Sequence, residues 1–144
     1  MSAFRFPVRV YWEDTDGAGI VYYASYLRFL ERARTEWLRS LGHSQQQLSR
    51  ERGILFTVVS LAVEYRAPAR LDDELEVTCE PEPLGAASVG FAQRIYRAAP
   101  ARDAARPLLE AKVRVACVDA RTLRPQRLPP FLTEVLDAES MRGG

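Results

Sequence analysis

The chain has 144 residues, room for one ordinary domain with a hydrophobic core of its own. Twenty basic residues against nineteen acidic ones leave a net charge of +1, and neither half carries the basic excess that binding a phosphate backbone requires. One histidine and two cysteines, Cys79 and Cys117, exclude most imidazole, thiol and zinc chemistry before any motif is read.

The start, from Met1 to Pro7, lacks the apolar run of a signal peptide, so the expected location is cytoplasmic. Phe6, Val8, Val10 and Trp12 alternate with Pro7, Arg9 and Tyr11 and predict a first strand. The polar run from Glu13 to Gly19 is a loop. A long helix is expected from about Tyr23 to Leu41, with Tyr26, Leu30, Ala33, Trp37 and Leu41 on its apolar face, Arg34 and Leu38 beside them, and Arg32 paired to Glu36. Gly42 lies where a helix-terminating glycine belongs. His43, just past this end, reads as a structural residue. Ser44 and Gln47 then form a capping box for a short helix ending before Gly53.

Beyond Gly53 the pattern turns strand-like. The most apolar stretch, Ile54 to Val63, is too short to cross a bilayer. Leu55, Val59, Leu61, Val63 and Tyr65 are expected in one strand phase. Leu75, Val77 and Cys79 alternate with Glu74, Glu76, Thr78 and Glu80, and a strand from Ala87 to Arg97 follows a turn at Leu84-Gly85-Ala86. Leu109 to Cys117 is the last strand, so both cysteines read as small core residues. A short helix over about 131–138 closes the chain, with a tail over 139–144 expected to be flexible. One strand, a long helix and four strands on short connections predict a single α+β domain over 1–144, with the helix on a curved antiparallel sheet of about five strands.

Chemistry is expected where the polar loop meets the long helix. The spacing is wrong for a calcium loop, because Ala18 and Ser25 fall on ligand positions, and Tyr22 takes the third-glycine place of a dinucleotide fingerprint. The run from Gly85 to Gly90 has one residue too many for a serine nucleophile elbow. Two readings of Asp14 and Asp16 remain. They make Asx turns or cap the helix, or one carboxylate acts beside unpaired helix N–H groups that hold an oxyanion.

Arg9-Val10, Thr15-Asp16, Gly19-Ile20-Val21-Tyr22 and Tyr26, in this spacing, resemble the active-site signature of the 4-hydroxybenzoyl-CoA thioesterase family, which has the hotdog fold. Similarity continues through Glu31 to Glu36, Val63 to Asp73 and Gln93-Arg94-Ile95, and is nearest to the acyl-CoA thioesterases associated with the Tol–Pal system of Gram-negative bacteria. The resemblance implies hydrolysis of an acyl-CoA thioester, with Asp16 as nucleophile or general base and the backbone N–H of Tyr23 as oxyanion donor. That subgroup usually has histidine where Tyr23 stands. The implied substrate-binding residues are Gly19, Val21, Tyr22, Ser60, Arg66, Arg70 and Arg94, the arginines toward coenzyme A phosphates. Thr57 and Gln93 are further candidates, and Glu31 is either a second carboxylate or the ion-pair partner of Arg34 or Arg28. The resemblance further implies no metal or organic cofactor, a homodimer or homotetramer, and acyl carrier protein as a further partner. Two rival readings are a 3-hydroxyacyl-thioester dehydratase, which needs a site histidine, and a non-enzymatic adaptor that binds acyl carrier protein or another lipid-synthesis protein.

Overall fold

The computed structural model describes residues 4–143. Its elements are β1 (Phe4–Arg9), α1 (Ser25–Ser40), α2 (Gln45–Arg52), β2 (Ile54–Tyr65), β3 (Glu74–Gly85), β4 (Ser88–Ala99), β5 (Leu109–Asp119) and α3 (Pro130–Gly143). The five strands form one antiparallel sheet in the order β1-β3-β4-β5-β2, and α1 packs across it. This is the hotdog architecture.

The helix stripe behaves as its spacing predicts, with Tyr26, Leu30, Ala33, Trp37 and Leu38 buried and Phe29 added to them. Full burial of side chains such as Phe29 and Leu30 is worth roughly 1.5–3 kcal/mol each. The helix stops in a Schellman turn: Gly42 has φ +89°, its N–H donates to Arg39 O, and the His43 N–H donates to Leu38 O. The expected capping box is present too, Ser44 Oγ accepting from Gln47 N at 3.1 Å and Gln47 Oε1 from Ser44 N at 3.2 Å. Arg39, not Arg32, pairs with Glu36; Arg32 lies over the Phe29 ring instead.

Four expectations need correction. The first strand ends at Arg9, because the chain turns into a single 3-10 turn at Trp12–Asp14 that leaves Trp12 exposed. The β2 phase changes midway: Ile54, Phe56 and Val58 face inward, a bulge intervenes between Val58 and Ser60, and only Leu61, Val63 and Tyr65 keep the expected inward phase. Leu55 therefore lies on the outer face. Although β2 and β3 are consecutive, they occupy opposite sides of the sheet, since β2 pairs with β5 and β3 with β1 and β4. The link between them crosses the start of α1 and buries Ala69 there. Finally, α3 continues through Gly143 rather than stopping near 138, because no residue before that glycine breaks a helix opened by Pro130; Gly144 lies outside the described residues.

The core falls into two clusters along α1. One, under its first half, gathers Val10, Val21, Tyr26, Leu30, Leu75, Ile95 and Leu109. The other, under its second half, gathers Trp37, Leu48, Val89, Phe91, Val115 and Leu132 with both cysteines. Burial pushes the Cys79 thiol up to about 12 and the Cys117 thiol up to about 11, so both stay protonated hydrophobes. Among the described residues no helix is long and apolar enough to cross a membrane.

Candidate active site

The Asp14–Val21 loop is a hairpin built from main-chain bonds. Thr15 bridges Val21, and the Asp16 N–H donates to Ile20 O at 3.1 Å. Gly17 and Gly19 hold φ of +91° and +86°, a region that a Cβ disfavours and that this tight reversal uses. The loop is sewn to the β2–β3 link: Val21 N–H donates to Ala69 O, Leu71 N–H donates to Gly19 O, and Ile20 bridges Arg70.

The two aspartates have opposite surroundings. Asp14 is buried, and its Oδ2 accepts from Tyr11 N at 2.8 Å while its carbonyl accepts from Tyr22 N at 2.9 Å. Asp16 is exposed, and among the described residues only its Oδ1 is engaged, by Ala18 N at 2.8 Å in an Asx turn. One carboxylate is thus spent on the fold, and the other presents, among the described residues, an unengaged oxygen in the loop that leads into α1.

The helix proper starts at Ser25, two residues later than the spacing predicts, with Ala24 as cap and no side-chain cap bond. Among the described residues the Tyr23 N–H has no acceptor, as an oxyanion donor requires. Tyr23 itself is held by its other peptide group: Tyr65 Oη donates to Tyr23 O at 2.8 Å. Tyr26 is 3% exposed and its hydroxyl accepts from Ala69 N at 2.9 Å, fastening the link to the helix. Neither tyrosine tether was readable from sequence, because each partner is more than forty positions away.

The remaining candidates separate cleanly. Val21 is 5% exposed and packs in the core, so its side chain supports the loop instead of facing a ligand, whereas Gly19 is partly open and Tyr22 stands exposed against the Tyr23 ring. Ser60 lies past the bulge on the outer sheet face, away from α1, and Thr57 is also outward. Arg66 and Arg94 both bind Glu110, whose carboxyl they draw below its usual range. Arg70, carried beside the Asp16 loop by its bridge to Ile20, has a guanidinium with no acceptor among the described residues. Glu31 is bound by Thr35 Oγ1 and pairs with neither expected arginine; Arg28 donates to Ser25 Oγ and Arg34 to Gln93. His43 stacks on Phe131 beyond the far end of α1, about 24 Å of helix from the loop. That distance leaves a dehydratase without its histidine at the Asp16 loop of the same chain.

The sequence profile of the thioesterase-like superfamily matches residues 10–136. The chain is 51% identical to the acyl-CoA thioester hydrolase YbgC of Escherichia coli, over 89% of this chain and 91% of that one. It is 45% identical to the acyl-CoA thioesterase YbgC of Haemophilus influenzae, over 89% of this chain and 90% of that one. Among solved structures, it superposes on a 1,4-dihydroxy-2-naphthoyl-CoA thioesterase from Synechocystis with a TM-score of 0.83 at 25% identity, covering 94% of this chain and 96% of that one.

Proposed function

The chain belongs to the thioesterase-like superfamily and is a thioester hydrolase, and on that premise we propose that it cleaves acyl-CoA into a free acid and coenzyme A with Asp16 as the reacting carboxylate. The observations that carry this reading are an exposed, half-engaged carboxylate and, seven residues on in the segment that leads into α1, an unpaired N–H. Asp16 attacks the thioester carbon, or takes the proton of a water that does. Either route puts negative charge on the carbonyl oxygen, where the Tyr23 N–H donates to it; one such donor is worth about 3 kcal/mol of barrier. Collapse of the tetrahedral species breaks the C–S bond, and the thiolate leaves to be protonated. In the carboxylate route water then hydrolyses the anhydride and restores Asp16. No metal or organic cofactor takes part, coenzyme A being part of the substrate.

Arg70 is the best-placed cation for a coenzyme A phosphate, because Arg66 and Arg94 are already committed to Glu110. An acyl carrier protein offers the same thioester on a protein scaffold and serves as a second substrate. The protein works in the cytoplasm as a homo-oligomer. Supporting this, β2 is an edge strand whose Val58, Val59, Leu61 and Tyr65 are exposed, and Tyr65 reaches the Tyr23 carbonyl beside the site. Two β2 edges pairing would satisfy the free backbone groups of that edge and bring each Tyr23 near the seam; two such dimers would make the tetramer.

Free-thiol release from short, long and aromatic acyl-CoAs tests the reading. Wild type is expected to cleave at least one class, and Asp16→Asn to lose about 100-fold or more while folding normally. A folded variant as fast as wild type overturns the assignment of Asp16. Absence of any cleavage overturns hydrolysis and leaves an adaptor.

A further inference from the structure

Beneath the second half of α1 lies a cavity of about 150 Å³, large enough for a six-membered carbon ring or a folded stretch of chain. Trp37, Leu38, Phe56, Val89 and Phe91 form its apolar wall. Into this wall is set one guanidinium. Arg34 is half-buried, and its Nη1 donates to Gln93 Oε1 at 3.0 Å. Gln93 is 1% exposed and is fixed from behind, its Nε2 donating to Leu30 O at 3.1 Å and Thr78 O at 3.2 Å. Its carbonyl therefore cannot turn away from Arg34.

A guanidinium has five N–H donors, and among the described residues only one bond, to a neutral acceptor, is made. No carboxylate of the described residues lies within ion-pair distance of Arg34. Glu31, the nearest anion on the cavity wall, is engaged by Thr35. Burial draws the Arg34 pKa below its usual value, yet the group remains charged. Glu31 favours the charge only from beyond ion-pair distance, so the half-buried cation is incompletely compensated; its unused donors are not sealed, since the one fully buried unpartnered side-chain atom among the described residues is His43 Nδ1. They are open to an incoming acceptor.

The cavity lies along a face of α1 that runs back toward the helix start. Leu27, Glu31, Arg34 and Leu38 recur at spacings of four, three and four and make one stripe on α1. Opposite it runs the inner face of β2, where Tyr65 holds Tyr23 at one end and Val58 lines the cavity at the other. Val58, Leu61 and Tyr65 point inward but are 46%, 40% and 49% exposed, so the trough between helix and strand is unfilled. From Ser25 to Arg34 it measures about 13 Å of helix axis.

Resting on the thioesterase reading above, we propose that this trough takes the acyl group and that Arg34, oriented by Gln93, selects acyl chains ending in a carboxylate, the half-thioesters of dicarboxylic acids. A carboxylate matches the guanidinium fork in charge and geometry, and Gln93 leaves the second amino group and Nε of Arg34 for it. Arg34 touches the far end of the substrate and takes no part in bond breaking. Gln93 is a positioning residue.

The test compares adipoyl-, suberoyl- and sebacoyl-CoA with hexanoyl-, octanoyl- and decanoyl-CoA. At the best-fitting length the carboxylate-ended substrate is expected to show kcat/KM about tenfold higher or more, the scale of a charge-assisted contact. Arg34→Met should abolish that preference through KM, raising KM about tenfold more for the carboxylate-ended substrate than for its methyl-ended partner. Arg34→Lys should retain part of it, which a purely structural role would not require. A wild-type preference for the methyl-ended partner at every length, or an equal loss on both classes in Arg34→Met, overturns the proposal. Should Arg34→Met fail to fold, the wild-type preference and the Arg34→Lys value decide it. Calorimetric binding of free suberate to Asp16→Asn protein, abolished when Arg34 is also changed, reads the same site without catalysis. Should no thioester be cleaved, the hydrolase reading fails and this binding alone supports or sinks the role of Arg34.

Discussion

The two ends of α1 hold charge in opposite ways. In the loop that leads into its start an anion, Asp16, is exposed and held by backbone: a hairpin bridge, two glycines and an Asx turn. Under its second half a cation, Arg34, is half-buried and held by a side-chain amide that is itself fixed to helix and sheet. A group that must meet water and a reacting carbon needs access, so main-chain geometry positions it. A group that only recognises gains strength from a drier setting. Changes at the first end should therefore act on rate, and changes at the second on stability and choice of substrate.

The largest expected effect is Asp16→Asn, a loss of about 100-fold or more in kcat with an unchanged urea midpoint; a large fall in stability instead would mean that this carboxylate is structural like Asp14. Next comes Gln93→Leu. It leaves Thr78 O without its side-chain donor and Arg34 without its acceptor, for about 2–3 kcal/mol of lost stability by denaturant titration. Methyl-ended substrates should still turn over at close to the wild-type rate; a loss of kcat matching Asp16→Asn would erase the distinction between the two ends.

Tyr26→Phe should cost about 1–2 kcal/mol, because the buried Ala69 N–H loses its acceptor. Burial raises the pKa of this hydroxyl above its usual value. Its contribution is therefore whole below the ordinary tyrosine range and falls away as pH rises through the raised folded value. The gap between wild type and Tyr26→Phe, measured by urea unfolding across that alkaline range, should close; a constant gap refutes the assignment. Smallest is Arg70→Gln, expected to raise KM for acyl-CoA about three- to tenfold with kcat kept, while Arg66→Gln stays within about twofold. Equal effects from both would remove the argument that an unengaged guanidinium marks the phosphate site.

The same contrast explains what could be read from sequence. Asp16, Gly19 and Tyr23 lie within eight residues, and turn chemistry acts over that range, so the loop and its helix were legible. Strand alternation gave β3 and β5 their inward faces for the same local reason. Arg34, Gln93 and Thr78 come from a helix and two strands with separations of 59 and 15 positions, and no local pattern binds them. Arg34 read as a helix-surface ion-pair partner, because i,i+3 spacing from Glu31 is local while Gln93 is not. The β2 phase failed on a bulge, whose single extra residue looks the same in sequence as continued strand. The sheet order was hidden because a short β2–β3 link suggests a hairpin, yet Ala69 pins it over the helix start.

One consequence belongs to the bench. Cys79 and Cys117 are buried, and with thiols near 12 and 11 they supply almost no thiolate for disulfide exchange. A colorimetric thiol reagent added to the folded protein should then report released coenzyme A with no background from the enzyme. Any slow rise without substrate would count molecules that have opened, so the hydrolysis assay carries its own gauge of unfolding.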